Sequence, residues 1–124
     1  MGRGIRMTDK PAPRHRTVPI REPVHRALRL ATVAGRQPIT QVIGEGLKAW
    51  LENGRAVPPE EDAEPSESVA YLDPEIQQRV KVACAELRIP MALVANYVAI
   101  AWLKNHGHQK LLDRFVAEAR EETG

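Results

Sequence analysis

Residues 20–54 read IREPVHRALRLATVAGRQPITQVIGEGLKAWLENG, and residues 72–106 read LDPEIQQRVKVACAELRIPMALVANYVAIAWLKNH. The two stretches align without a gap at an offset of 52 residues, so the chain contains an internal repeat. Both tryptophans of the chain fall at this offset, and so do Pro38 and Pro90. Chance is a poor explanation for these coincidences. Each copy, at about 40 residues, is too short to enclose a core alone.

Each copy predicts the same elements in the same order. A short extended stretch comes first, at residues 17–20 and 69–72, where apolar residues alternate. A first helix, helix A, follows at Pro23 or Pro74, because proline and acidic residues favour a helix N-terminus. In copy one helix A ends near Gly35, which suits a left-handed C-cap. Copy two has no glycine there, so its turn is expected to be made differently.

A second helix, helix B, opens at the aligned proline of each copy. Its apolar residues recur at the spacing of one buried stripe, and Gly54 and Gly107 end it. Gly44 and Gly46 lie inside helix B of copy one, where they lower helix propensity and indicate close helix contact. The stripe comprises Ile39, Val42, Ile43, Gly46, Leu47 and Trp50 in copy one, and Met91, Val94, Ala95, Val98, Ala99 and Trp102 in copy two.

Composition limits the class of protein. The chain has 124 residues, of which 43% are hydrophobic and 27% charged, values typical of a globular protein. No apolar run approaches the ~20 residues of a membrane span, so no membrane role is expected. Cys84 is the only cysteine, and its apolar helical surroundings indicate a buried structural thiol in a reducing cytoplasm.

Charge is unevenly distributed along the chain. Residues 1–56 carry a net charge of +7, whereas residues 57–124 carry −5. This asymmetry favours an acidic partner, such as nucleic acid, for the first half. The predicted organisation is a disordered basic arm (1–13), repeat one (14–54), an acidic proline-rich linker (55–67), repeat two (68–107) and a C-terminal helix (108–124).

The repeated stretch resembles the ribbon-helix-helix family, the Arc- and MetJ-like repressors, over residues 15–54 and 67–106. Ile20 stands four residues before Val24, the family's spacing between strand and helix A, and Leu72 keeps it in copy two. In that family two units swap strands into an antiparallel ribbon. The resemblance implies a mainly α fold with a short two-stranded antiparallel β-ribbon, built as a single-chain pseudodimer. Tandem proteins of this kind are known among relaxosome accessory factors of bacterial conjugative plasmids.

The resemblance implies sequence-specific binding of double-stranded DNA, as a transcriptional repressor or a plasmid relaxosome or partition accessory factor. The major groove admits a two-stranded ribbon, and strand residues alternate faces. Thr17 is expected to bond a base edge or touch a thymine methyl, and Val69 to touch a thymine methyl. Pro19 departs from the family's usual polar residue. The expected base-reading residues are His15, Thr17, Pro19, Val69 and Tyr71.

Phosphate contacts are expected beside the strand and at the start of helix B. Arginines flank the first strand, and a helix N-terminus binds anions through its amides and dipole. The proline that opens each helix B removes one donor, which predicts a weaker phosphate clamp. The expected phosphate-binding residues are Arg14, Arg16, Arg21, Arg36, Gln37, Thr40 and Arg88.

The last segment departs from a plain ribbon-helix-helix unit. Residues 109–122 predict an amphipathic helix with Leu112, Phe115 and Val116 on its apolar stripe. Helix B of copy two also has a second apolar face, formed by Leu93, Tyr97 and Ile100, where copy one is polar. We expect the C-terminal helix to cover that face, or the face to serve self-association of pseudodimers. An alternative is an antitoxin-type module whose C-terminal helix binds a partner protein, and a third is a tandem fold kept only for self-assembly.

Catalytic and metal-binding patterns are weak. His106 and His108 are two residues apart, but a convincing third ligand for zinc is lacking. No glycine-rich phosphate loop, paired catalytic carboxylates or Ser/His/Asp set emerges. The sequence therefore predicts no enzyme activity, no cofactor and no metal.

Overall fold

The computed structural model describes residues 16–59 and 67–123. It confirms a mainly α fold with a two-stranded antiparallel ribbon. The predicted arm (1–13), Arg14, His15 and the middle of the linker lie outside the described residues. The elements are β1 (Arg16–Ile20), α1 (Glu22–Gly35), α2 (Ile39–Glu52), β2 (Ser68–Leu72), α3 (Pro74–Leu87), α4 (Met91–Asn105) and α5 (Gln109–Thr123).

The two strands form the ribbon within one chain. Arg16 lies opposite Leu72, and Ile20 lies opposite Ser68, so the predicted antiparallel pairing of the two repeats is confirmed. Val18 and Ala70, which are 52 residues apart, lie directly opposite each other. The centre of the ribbon therefore lies on a pseudo-twofold axis that relates the repeats.

Packing between the repeats is reciprocal. α2 packs against α4, and each of these helices contacts the strand of the other repeat. The core is thus shared, and neither repeat has one of its own. The largest fully buried side chains come from both repeats: Ile20, Leu28, Ile43, Leu47, Leu72, Leu103, Val18, Val24, Val80, Val94 and Cys84. Burial raises the pKa of the Cys84 thiol, which fits the predicted structural cysteine.

Gly46 allows α2 and α4 to approach closely. A Cβ atom at Gly46 would lie 3.1 Å from the Cβ atom of Val98, so the close helix contact expected from the sequence is confirmed. Gly46 and Val98 are also 52 residues apart, so the pseudo-twofold axis passes through this crossing too. At Gly44 the space is ordinary, since an added Cβ would meet Ile76 at 3.8 Å.

The turn between helices A and B has the same form in both repeats. Arg36 and Arg88 adopt left-handed φ angles of 58° and 60°. In repeat one the amide of Gln37 donates to the carbonyl of Thr32 at 3.0 Å, and Ile89 of repeat two makes the equivalent bond, the pattern of a Schellman cap. Two expectations are therefore wrong. Gly35 is the last residue of α1 and not the left-handed one, and the turn of repeat two is not made differently.

Helix α5 forms as predicted but docks mainly elsewhere. It makes its most extensive contact with α1 and a smaller one with α4. The ring of Phe115, 8% exposed, lies 5.5 Å from the Arg26 guanidinium of α1. The second apolar face of α4 is only partly covered, because Tyr97 remains 47% exposed. Its neighbours on that face, Leu93 and Ile100, are half-buried.

A difference between the two A helices, α1 and α3, explains why α5 packs on α1. Ala27 of α1 is fully buried, whereas the equivalent residue of α3, Arg79, is exposed. Pro23 of α1 is likewise buried where α3 has the exposed Glu75. Small apolar residues give α5 a surface on α1 that charged residues deny it on α3.

One test for membrane-spanning helices bears on α3 and α4. Among the described residues no single helix is long and apolar enough to cross a bilayer. Only α3 and α4 taken together, bent by 115° at the turn between them, reach the required length and composition.

Candidate nucleic-acid interface

The outer face of the ribbon brings together four of the five expected base-reading residues. Thr17 lies opposite Tyr71, and Pro19 lies opposite Val69. Tyr71 is 53% exposed and Val69 43%. Thr17 is exposed and Pro19 half-buried. The fifth expected residue, His15, lies outside the described residues.

The inner face of the ribbon anchors this platform. Val18, Ile20 and Leu72 are fully buried, and Ala70 is 2% exposed. The alternation of more buried and more exposed residues fixes which side chains point outward, because a slip of one residue would exchange the two faces. The outer face is therefore held in a defined register.

Polar contacts tie the ends of the ribbon to the helices. The Ser68 hydroxyl donates to the Glu22 carboxylate at the start of α1. The Gln77 side-chain amide of α3 donates to the carbonyl of Thr17 at 3.4 Å. These contacts link each strand to helix A of the opposite repeat.

Asn96 fixes the junction between β1 and α1. Its Oδ1 atom accepts from the backbone amide of Arg21 at 2.9 Å, and its Nδ2 atom donates to the Ala92 carbonyl at 2.8 Å. Asn96 is buried and comes from α4 of the other repeat. We did not predict this residue from the sequence. Its signal is an amide on an apolar helix, at the position where repeat one has Gly44.

The N-termini of α2 and α4 carry no side-chain cap. Their N-cap residues, Pro38 and Pro90, make no cap hydrogen bond, whereas Asp73 accepts from the Glu75 amide at 2.8 Å and caps α3. Each proline lies before the first helical residue, so the first-turn amides are retained. Each proline nevertheless lacks an N–H of its own, so one donor is missing at the start of each helix, and the weaker phosphate clamp stays a prediction.

The expected phosphate-binding side chains fall into two groups. Arg36, Thr40 and Arg88 are exposed and Gln37 is half-buried, around the two turns that precede α2 and α4. Arg36 and Arg88 occupy equivalent positions about the pseudo-twofold axis. Arg16 lies in β1, and the half-buried Arg21 follows it. Arg14 lies outside the described residues.

His25 is a titratable group on α1. Its pKa is lowered from 6.5, first by burial and second by the charge of Arg29, while Glu22 opposes the shift. Burial and the nearby positive charge therefore both disfavour the charged form of the ring. Exposed Glu67 just before β2 adds negative charge at that end of the ribbon.

The histidines near the end of α4 pack on a tryptophan. His106 and His108 stack on Trp102, with ring centroids 4.4 and 5.8 Å away. Within residues 16–59 and 67–123, no group of three or more His, Cys, Asp or Glu side chains could hold a metal ion. An open groove of about 370 Å³ lies between α2 and α3, with the 2.7 Å Arg55–Glu86 ion pair on its wall.

Comparison with protein-family models, curated proteins and solved structures finds no match for this chain. The candidate surfaces of this chain are the exposed ribbon face, the two helix starts without a side-chain cap and the arginines beside them.

Proposed function

We propose that this chain binds double-stranded DNA sequence-specifically, by laying the β1–β2 ribbon in the major groove. In this proposal it serves in the cytoplasm as a transcriptional repressor or a plasmid relaxosome or partition accessory factor. The observation that carries the proposal is the ribbon itself, with an exposed outer face on a fully buried inner one. A two-stranded ribbon fits the major groove, where every base pair presents a distinct pattern.

The two turns before α2 and α4 supply the phosphate contacts in this proposal. Uncapped first-turn amides and the helix dipole attract an anion, and Arg36 and Arg88 add a positive charge at equivalent points. Phosphate contacts set the register of a protein on DNA, and base contacts select the sequence. The net charge of +7 on residues 1–56 supports binding to a polyanion.

A salt titration tests the proposal. Binding to a mixed-sequence duplex should weaken as salt rises, with each neutralised phosphate contributing about 0.9 to the log–log slope. Arg36→Ala and Arg88→Ala should each weaken binding to all sequences and lower that slope. Thr17→Ala should instead relax the preference among sequences.

Arg79→Ala is the matched control, because Arg79 is an exposed arginine on α3, outside the ribbon and both turns. It should leave the affinity nearly unchanged. Absence of measurable duplex binding at low salt would overturn the proposal. If Arg79→Ala weakened binding as much as Arg36→Ala and Arg88→Ala, the effect of those arginines would be one of overall charge and not of a phosphate contact at the two turns.

A second candidate is a protein-binding module, favoured by the exposure of Tyr97 on α4. This face would bind a partner protein or a second pseudodimer. For α5 to bind a partner protein in the manner of an antitoxin, it would first have to detach from α1. Within the chain its apolar residues Leu112 and Phe115 are only 5% and 8% exposed. A partner or dimer lost in a Tyr97→Asp variant would support this candidate. An unchanged solution mass with no partner would count against it.

A further inference from the structure

The outer face of the ribbon has an unusual chemistry for a surface that reads bases. Thr17, Pro19, Val69 and Tyr71 include no charged group and no side-chain amide. Val69 and Tyr71 expose 43% and 53% of their surface, and cross-strand pairing places Val69 beside Pro19. An exposed apolar cluster at this point indicates a ligand with an apolar feature.

The major groove offers one such feature. Purines are read by bidentate hydrogen bonds from Arg, Lys, Asn or Gln, and none of the four residues can make them. Thymine presents a C5-methyl group in the major groove, which apolar side chains contact. A 5-methylcytosine carries its methyl group on the same ring atom.

We infer that the ribbon recognises the 5-methyl groups of pyrimidines in the major groove, and that it does so in one orientation. This inference rests on the proposed DNA binding and specifies its ligand. Val69, Pro19 and the Thr17 methyl group supply the apolar contacts. The Tyr71 hydroxyl supplies a hydrogen bond to a neighbouring base edge or phosphate.

The orientation follows from the pseudo-twofold axis. The axis through Val18 and Ala70 makes Thr17 equivalent to Val69, and Pro19 equivalent to Tyr71. A homodimer presents identical residues at equivalent points and reads a palindrome. This ribbon presents different ones, so its two half-sites differ in sequence.

The test uses four duplexes of equal length and equal phosphate number, at one salt concentration. They are alternating d(AT), alternating d(AU), alternating d(GC), and alternating d(GC) with every cytosine 5-methylated. Fluorescence anisotropy measures each Kd with the full-length protein. We expect d(AT) to bind more tightly than d(AU), about fourfold for each methyl group contacted.

The outcomes separate the inference from the proposed function. If d(AT) binds more tightly than d(AU), and 5-methylated d(GC) more tightly than plain d(GC), the protein recognises the methyl group itself. If only one of these pairs differs, the methyl group recognised is that of thymine or that of 5-methylcytosine accordingly. Equal binding of d(AT) and d(AU), and of the two GC duplexes, overturns the inference while DNA binding stands. Absence of binding to all four duplexes overturns both.

A pair of variants locates the contact. Val69→Ser should bring the ratio of the d(AT) affinity to the d(AU) affinity towards one, whatever its effect on the d(AU) affinity itself. Val82→Ser is the control, because Val82 is 47% exposed on α3, outside the ribbon, and it should keep the wild-type ratio. Equal ratios in the two variants would overturn the assignment to Val69.

Selection from a random duplex pool tests the orientation. The inference expects an enriched sequence whose two halves differ. A palindromic consensus would overturn the single orientation, whatever the methyl dependence.

Discussion

At the scale of single residues, Arg36 and Arg88 stand in a backbone conformation that glycine usually occupies. Their φ angles of 58° and 60° cost an L-residue about 1–2 kcal/mol. Such strain persists where the surrounding structure imposes it, and it gathers at functional sites. Both side chains are exposed, so packing does not explain why arginine is kept. Binding of a phosphate at these turns would.

Arg36→Gly should therefore raise the free energy of unfolding by about 1 kcal/mol and weaken DNA binding at all sequences. Urea unfolding and anisotropy measure the two effects on one protein. Gly35→Ala is the control, because open space surrounds Gly35 and alanine adds up to about 1 kcal/mol of helix propensity. That change should leave DNA affinity intact. A destabilised Arg36→Gly variant would show that the turn is unstrained.

His25 gives the fold a dependence on acid. Its folded-state pKa lies below 6.5, so the unfolded chain binds more protons once the pH falls below about 6.5. The free energy of unfolding should be highest above that pH and should decline as the pH falls towards the folded-state pKa. His25→Gln should flatten the decline. Urea midpoints between about pH 8 and pH 5 measure it, and parallel curves for the two proteins would contradict the assignment.

The sequence of the repeat predicted which residues lie on the outer face of the ribbon, but not the buried polar contact of Asn96 or the conformation of the turns. Period-two alternation placed Thr17 and Val69 on the outer face, because a short strand with one buried side has a single workable register. It could not place Asn96, since an amide on an apolar helix does not show which backbone group it will meet. Glycine also misled at Gly35. The equivalent turn at Arg88, which lacks a nearby glycine, shows that position in the fold sets the conformation.

At the scale of elements, α5 breaks the symmetry of the two repeats. Periodicity predicted that this helix exists, but it did not predict that α1 would be its main contact. The apolar residues that distinguish helix B of repeat two, Tyr97 and its neighbours, indicated α4 as the docking surface. The sequence difference that accounts for the docking on α1 lies in the A helices, where α1 has Ala27 and α3 has Arg79 at the equivalent position.

Phe115→Ala should lower the free energy of unfolding by about 3 kcal/mol, the lower end for a buried aromatic. Tyr97→Ala, at a half-exposed ring, is the control and should cost much less. Ala27→Arg copies the residue of repeat two into α1 and should also detach α5. Chemical unfolding and far-ultraviolet circular dichroism measure these changes. Similar effects at Phe115 and Tyr97 would contradict docking of α5 on α1.

At the scale of the whole molecule, the pseudo-twofold axis crosses two unequal pairs. Val18 meets Ala70 in the ribbon, and Gly46 meets Val98 between α2 and α4. A homodimer would place identical residues on such an axis. Two copies of repeat two would bring valine against valine at this crossing, a crowding that the glycine of repeat one avoids.

Gly46→Val should destabilise the protein by about 1–3 kcal/mol through overpacking. Val98→Gly in the same chain exchanges the pair and should restore much of that loss. Gly44→Ala is the control, because its Cβ would have an ordinary 3.8 Å contact and should be neutral or stabilising. Denaturant unfolding of the wild type, Gly46→Val, Val98→Gly and the double variant measures the coupling. Additive effects at Gly46 and Val98 would contradict a direct contact on the axis.

A ribbon closed within one polypeptide also changes how its surface responds to dilution. When two separate subunits build a ribbon, the competent species falls with the square of subunit concentration once the dimer dissociates. Here β1 and β2 belong to the same molecule, so the competent species falls only in proportion to the amount of protein. The concentration of the complete ribbon should therefore rise linearly with the amount of protein. A defective chain would also not inactivate an intact one by pairing with it in a mixed ribbon, because each ribbon is formed within a single molecule.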